Sequence, residues 1–179
     1  MYGYRAAEID AYLISPDYEG GWAKLAGARK GKPASSSSVF TTCLEREAGL
    51  GDMTAQVSIP SFRLLMAEEA YLSRFEGAPR PPTDAVEVLS REPLTVGSVP
   101  EASVVLAAVA DCLVYHDLAG ADALVRTVSD SPEERAGAVS LAAAVGGCLP
   151  PDQTLKLNVT MIRSLAVEGL WARYARTVH

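Results

Sequence analysis

Apolar residues recur at helical spacing along most of the chain, and clusters of Gly, Pro and Ser separate the segments that carry this pattern. Leu65, Leu72 and Phe75, for example, would share one face of a helix. The pattern predicts helices over residues 4–14, 39–48, 62–75, 84–91, 99–119, 121–128, 132–145 and about 152–177. Strand-like segments are confined to 56–59 and 94–99, which are short and next to prolines. The predicted fold is therefore all-α, a bundle of about six to eight helices.

Two segments begin with the same capping signature, in which a Ser side chain caps the helix and a Glu three residues later caps it in return. Ser98 with Glu101 predicts the start of the helix over 99–119. Ser131 with Glu134 predicts the start of the helix over 132–145. Each signature also has a proline in the first turn, where the missing N–H costs no helical hydrogen bond.

The segment 99–119 is apolar on all sides of its helix, which is typical of a helix that is buried all round. It is therefore predicted to be the central helix of the bundle. Asp111 lies within it, and a buried carboxylate must be paired, hydrogen-bonded or protonated. Two hypotheses follow. Asp111 is either structural, as the partner of an arginine such as Arg126 or Arg163 or at the edge of the buried surface, or a catalytic or ligand-binding carboxylate in an interhelical pocket.

Three neighbours of Asp111 are further candidates for catalytic residues. Cys112 and His116 are four residues apart and could form a nucleophile and base pair. Tyr115 could line the same pocket. No third residue or oxyanion-hole motif can be assigned to them, so the sequence leaves open whether the chain is an enzyme. No cofactor is predicted, and no metal site either, because the repeated Glu-x-x-His pairs of ferritin-like bundles are missing.

Arg29, Lys30 and Lys32 form a basic turn that is a candidate site for anion binding. The turn does not match a phosphate-binding P-loop. Three residues rather than four separate its two glycines, and Pro33 stands where a P-loop has Ser or Thr. The alternative is a solvated basic loop.

Cys43, Cys112 and Cys148 are far apart in the sequence and form no Cys-x-x-Cys pair. Their odd number and apolar surroundings predict reduced, buried thiols. The first ten residues include acids where a signal peptide needs an apolar run. The longest uncharged apolar stretch, 136–149, is shorter than the roughly 20 residues that a membrane span needs. We therefore expect a cytoplasmic protein that does not enter a membrane.

A basic, serine-rich connector over 29–38 divides the chain. It separates an N-terminal helical segment, which together with most of the connector occupies residues 1–37, from a helical body over 38–179. The proline-rich stretch 78–83 is a possible subdomain boundary within the body.

The chain has 179 residues, a net charge of -6 and 49% hydrophobic residues. This length allows one sizeable core, and the acidic charge makes nucleic acid an unfavourable partner. The excess of Arg over Lys with frequent Ala and Gly is typical of GC-rich bacterial genomes. Because no catalytic set can be assembled, the sequence favours a non-enzymatic protein-interaction or regulatory module. The alternative is a small all-α enzyme or small-molecule-binding protein with an interhelical pocket near Asp111, where small residues over 136–147 could admit an apolar ligand.

The last predicted helix carries more apolar surface than one contact in a bundle commonly uses. One stripe of that surface consists of Leu155, Val159, Ile162, Ala166 and Gly169. Because two-fold dimers are the commonest oligomers, the sequence predicts a homodimer.

Overall fold

A computed structural model describes residues 6–15, 21, 25, 59–90, 100–151, 153 and 155–176. These residues form six α-helices and no strand, which confirms the predicted all-α bundle. The helices are α1 (Ala6–Ile14), α2 (Ile59–Leu72), α3 (Pro100–His116), α4 (Leu118–Val125), α5 (Pro132–Gly147) and α6 (Val159–Leu170), and a π-helical turn (Trp171–Ala175) continues α6. The helix predicted over 39–48, the cap Ser98, the connector 29–38 and the basic residues Arg29, Lys30 and Lys32 lie outside the described residues.

Side-chain caps determine where several helices begin. Ser131 caps α5 by accepting the N–H of Glu134 at 3.0 Å, as predicted. The Glu134 carboxylate accepts the N–H of Asp130 at 2.8 Å. Asp117 caps α4 by accepting the N–H of Gly120 at 2.8 Å. The single helix predicted up to residue 119 is therefore divided, because this new cap starts a second helix directly after His116.

Two further predicted helices differ from the structure. The last helix begins at Val159 and not near 152, because the Asn158 side chain accepts the N–H of Met161 at 2.8 Å and caps the helix there. The helix predicted over 84–91 is replaced over 84–90 by a turn, a bend and chain without regular secondary structure. Leu89 in this segment directs its backbone N–H to the side chain of Asp111, so the segment is held by α3 and not by helical hydrogen bonds of its own.

The centre of the bundle is the contact between α3 and α6, which is the most extensive helix pair among the described elements. Residues 109–114 of α3, from the segment predicted to be central, are all buried. The helix α6 also packs against α2, α4 and α5. Gly169 of α6 lies against the backbone of α3 at Ala110, where an added Cβ would meet the Ala110 carbonyl oxygen and come within 2.7 Å of Val114 Cγ2.

Buried ion pairs join the outer helices to α6 and to each other. The Arg163 guanidinium of α6 lies 2.7 Å from the carboxylate of Glu68 and 3.1 Å from that of Glu134, so one cation links α2, α6 and α5. In a second group, the Tyr71 hydroxyl donates to Asp122 at 2.7 Å, and burial and this carboxylate raise the pKa of Tyr71. A buried carboxylate or guanidinium is tolerated only with such partners.

Within the described residues, no helix is by itself long and apolar enough to cross a membrane. The part Val104–His116 of α3 and the whole of α4 would together be long and apolar enough for a membrane span, but the chain bends by 107° between them.

We expect Gly169→Ala to destabilise the protein by about 1–3 kcal/mol, because the new methyl group would overlap the Ala110 carbonyl and force α3 and α6 apart. Gly146→Ala in α5 is the matched control, since a Cβ there meets nothing within 4 Å. The control should leave stability unchanged or raise it by up to about 1 kcal/mol through the lower entropy of the unfolded chain. Urea unfolding measures both changes, and equal effects of the two variants would contradict the close packing.

Candidate functional site

The four candidate residues of α3 lie at the end of that helix where three other parts of the chain meet it. These parts are the segment 84–90, the C-terminal end of α5 and the π-helical turn after α6. Glu87, Cys112, His116 and Cys148 carry the reactive groups of this region, and we refer to these four residues as the thiol site. Asp111, Tyr115 and Arg173 surround it.

Cys112 and Cys148 form a disulfide bond, with their Cα atoms 5.8 Å apart. The prediction that these two cysteines are reduced, separate thiols is therefore wrong. Their 36-residue separation gave no sign of the bond. Packing of α3 against α5 brings Cys112 of α3 beside Cys148, the residue that ends α5, at a distance typical of disulfides. Cys112 is 4% exposed, whereas Cys148 is only partly buried. Cys43 lies outside the described residues.

Glu87 is the member of the thiol site that sequence reasoning missed. Its Oε1 atom lies 3.2 Å from Cys112 Sγ and 3.2 Å from His116 Nε2. Both the Glu87 and the His116 side chains are 54% exposed, so the site opens to solvent on this side. The Glu87 carboxylate thus contacts both Cys112 and His116, the two residues that the sequence suggested as a nucleophile and base pair. The Cys-x-x-x-His spacing was visible in the sequence, but no pattern pointed to Glu87.

Asp111 holds the segment that carries Glu87. Its carboxylate is buried, at 1% exposed for the residue, and accepts the backbone N–H of Leu89 at 3.0 Å. The two arginines proposed as its partners lie elsewhere: Arg126 binds Asp122, and Arg163 binds Glu68 and Glu134. Asp111 is therefore a buried hydrogen-bonded carboxylate that positions a backbone segment.

Arg173 fastens the same segment from the other side. It projects from the π-helical turn, donates to the Asp111 carbonyl oxygen at 2.8 and 3.0 Å, and donates to the Glu87 carbonyl oxygen. Its guanidinium also lies over the Tyr115 ring, 5.6 Å from the centroid, and Tyr115 packs edge to face against His116. Tyr115 thus contacts both the arginine and the imidazole, which places it beside the thiol site.

One groove among the described residues lies beside α1, and it is lined by Glu8, Ala11, Tyr12, Ser15, Gly21 and Leu25. The pocket predicted near Asp111 stays a prediction. Three side-chain donors of the thiol site, by contrast, have their ligand atoms within 4.8 Å of one another: the Glu87 carboxylate, Cys112 Sγ and an imidazole nitrogen of His116. The sequence predicted no metal site because the Glu-x-x-His pairs of ferritin-like bundles are missing. These three residues do not form such a pair, so that pattern could not detect them.

Comparisons of the chain with protein families, with curated proteins and with solved structures found no match. The chemistry of the thiol site is therefore derived from its own geometry.

We expect Asp111→Leu to release the segment 84–90, because the Leu89 N–H loses its carboxylate acceptor. The cost should be about 1–3 kcal/mol, the range for a buried polar group left unpaired. Asp111→Asn is the matched control, since its amide oxygen can still accept that N–H, and it should cost less. Hydrogen exchange at Leu89, measured together with urea unfolding, should be faster in Asp111→Leu than in Asp111→Asn. Equal exchange rates in the two variants would contradict the positioning role.

Proposed function

We propose that this chain is a redox-responsive helical module that acts by binding a partner protein or a second copy of itself, and not by catalysis. The observation that supports this proposal is the Glu87 carboxylate, 3.2 Å from both Cys112 Sγ and His116 Nε2, at an inter-helix disulfide. A disulfide sulfur has no hydrogen to donate to Glu87 Oε1, whereas a Cys112 thiol has one. The surroundings of Cys112 therefore suit the reduced residue as well as the oxidised one.

The position of the disulfide gives reduction a structural consequence. The bond ties the end of α5 to α3, and Glu87 brings the segment 84–90 to the same sulfur. Gly146 and Gly147 at the end of α5 are exposed and Cys148 is partly buried, whereas residues 109–114 of α3 are buried. Parts of a protein with few buried contacts open most readily. Reduction is therefore expected to loosen the end of α5, whereas the centre of the bundle and the segment 84–90, which Asp111 and Arg173 hold, stay in place.

The redox step is an ordinary thiol–disulfide exchange. The thiolate of an external dithiol bonds to Cys148 Sγ, the partly buried sulfur, and the Cys112–Cys148 bond breaks with its electron pair on Cys112 Sγ. Cys112 then takes up a proton beside Glu87 and His116. The second thiol of the reductant displaces Cys148, so the dithiol leaves as a disulfide and the protein has gained two electrons and two protons.

We further propose that the protein works in the cytoplasm. Disulfides in that compartment are rare, and those that occur are usually transient and serve catalysis or redox sensing. A cytoplasmic location and a disulfide at Cys112 are compatible if the bond forms and breaks as part of the function.

A second candidate function is a thiol–disulfide oxidoreductase, which the Glu87 and His116 contacts favour. A carboxylate and an imidazole next to a cysteine sulfur can give and take the proton that each exchange step requires. This candidate differs from the first in turnover. An oxidoreductase would reduce many equivalents of a disulfide substrate when supplied with a dithiol, whereas a responsive module would change its own state once.

We expect the Cys112–Cys148 bond to be reducible in the folded protein. In dithiol buffers of graded potential, its midpoint should lie above about -300 mV, where labile and regulatory disulfides are found. Thiol alkylation followed by mass spectrometry of the Cys43→Ser variant measures the reduced fraction, and circular dichroism monitors the fold. Hydrogen exchange should rise at the end of α5 on reduction and stay unchanged over 84–90. A lower midpoint, or reduction only on unfolding, would identify a structural cross-link and contradict the proposal.

We propose that the predicted homodimer forms mainly through surface other than the stripe on the last helix. Ile162, Ala166 and Gly169 of that stripe are buried inside the bundle. Large apolar side chains remain exposed elsewhere, at Val128 (77%) and Val139 (75%). Light scattering at micromolar concentration should give about twice the chain mass of 18.9 kDa. A monomer in both oxidation states would contradict self-association and leave a partner protein as the proposed target.

A further inference from the structure

We propose that the reduced chain binds one zinc ion, or another divalent ion that prefers thiolate and imidazole ligands, through Glu87, Cys112, His116 and Cys148. This inference goes beyond the proposed function and rests on it in one respect, that the disulfide can be reduced in the folded protein. The zinc ion would bind the same two sulfur atoms that the disulfide joins, those of Cys112 and Cys148.

Three of the donor atoms lie close to the spacing that a shared metal ion requires. A thiolate sulfur about 2.3 Å and a carboxylate oxygen about 2.1 Å from one tetrahedral zinc ion lie about 3.6 Å apart. Glu87 Oε1 is 3.2 Å from Cys112 Sγ and 3.2 Å from His116 Nε2, and all three donor atoms lie within 4.8 Å of one another. The two Glu87 distances differ from this spacing by a few tenths of an ångström, and side-chain rotation of Cys112 and His116 would bring all three atoms around one ion.

Cys148 supplies the fourth ligand once the disulfide is broken. Its sulfur is bonded to Cys112 Sγ in the oxidised protein, so it already lies at the same site. Two thiolate ligands of zinc would lie about 3.8 Å apart, so the sulfurs must separate by side-chain rotation. The end of α5, where Cys148 follows the last helical residue, is a position that permits such an adjustment.

The framework that holds these donors is largely independent of the disulfide. Cys112 and His116 are four residues apart on α3 and therefore project from the same face of the helix. Glu87 is held over that face by the hydrogen bonds that its segment makes with Asp111 and Arg173. The helix α3 thus presents two ligands in a fixed relation, and the segment 84–90 adds the third.

The set of donors selects the class of metal. Two thiolates, one imidazole and one carboxylate form a four-coordinate set of the kind that binds zinc, and thiolates favour zinc over magnesium or calcium. The exposed side of the site, where the Glu87 and His116 side chains are each 54% accessible, gives an ion a path of entry. The two thiols each lose a proton on binding, so zinc uptake releases protons.

Disulfide formation and metal binding exclude each other at this site. A disulfide sulfur is not a thiolate ligand, and a zinc-bound thiolate is not free to form the disulfide. An oxidant that accepts two electrons, such as a peroxide, would convert the two thiolates into the disulfide and release the ion. A dithiol would return the electrons and restore the site for metal.

The test uses the full chain with Cys43→Ser as background, so that Cys112 and Cys148 are the two cysteines present. Zinc affinity is measured by competition with a chromogenic chelator after reduction with a phosphine, and again after oxidation. Cobalt(II) is the spectroscopic probe, because thiolate coordination produces a charge-transfer band in the near ultraviolet. We expect one zinc ion per reduced chain and a loss of affinity of at least about 100-fold in the oxidised chain.

Variants of the exposed ligands distinguish this site from binding by the two cysteines alone. Glu87→Gln and His116→Asn should each weaken zinc binding by about tenfold or more. Glu133→Gln, at an exposed carboxylate of α5, and His179→Asn, at the other histidine of the chain, are the matched controls and should leave the affinity unchanged. Cys112→Ser and Cys148→Ser should remove the cobalt charge-transfer intensity in part, and circular dichroism establishes that each variant is folded.

The outcomes separate this inference from the proposed function. A pair that is reduced in the folded protein but binds no zinc would overturn the metal site and leave the redox-responsive module intact. A pair that is reduced only on unfolding would overturn both. Zinc binding that is unchanged in Glu87→Gln and His116→Asn would also overturn the four-ligand site.

Discussion

The close approach of α3 and α6 at Gly169 is the contact on which the other features of this protein depend. A side chain at this position would occupy the space of the Ala110 carbonyl oxygen, so the two helices can meet at backbone distance only because residue 169 is glycine. Since the π-helical turn continues directly from α6, this contact also sets where Arg173 lies. Arg173 in turn reaches the Asp111 carbonyl of α3, one residue along from Ala110.

The thiol site is held together by hydrogen bonds between side chains of the core and the backbone of the segment 84–90. Asp111 accepts the Leu89 N–H and Arg173 donates to the Glu87 carbonyl, so a segment without helical structure is held against a buried helix. The Glu87 side chain then lies beside Cys112 and His116. These two side chains fix the position of the segment because moving it would leave a buried carboxylate or guanidinium unpaired, which is costly in free energy.

The same arrangement explains why oxidation chemistry and metal chemistry meet at one place. A cysteine in a wholly apolar environment is usually inert, but Cys112 has an apolar helix on one side and a carboxylate and an imidazole on the other. Cys148 reaches it from the end of a neighbouring helix. Elements far apart in the chain thus supply a carboxylate, an imidazole and two sulfurs to a small volume at the edge of the core.

The sequence by itself determined the all-α class, the Ser131 cap and the burial of the segment around Asp111, because helical spacing and capping depend on residues that are close along the chain. It also contained the Cys-x-x-x-His spacing of Cys112 and His116. The disulfide partner Cys148, the donor Glu87 and the burial of the last helix's apolar stripe were decided by the tertiary structure alone. These features join residues 25 to 36 positions apart or depend on which helices pack together, and no local pattern encodes such distances.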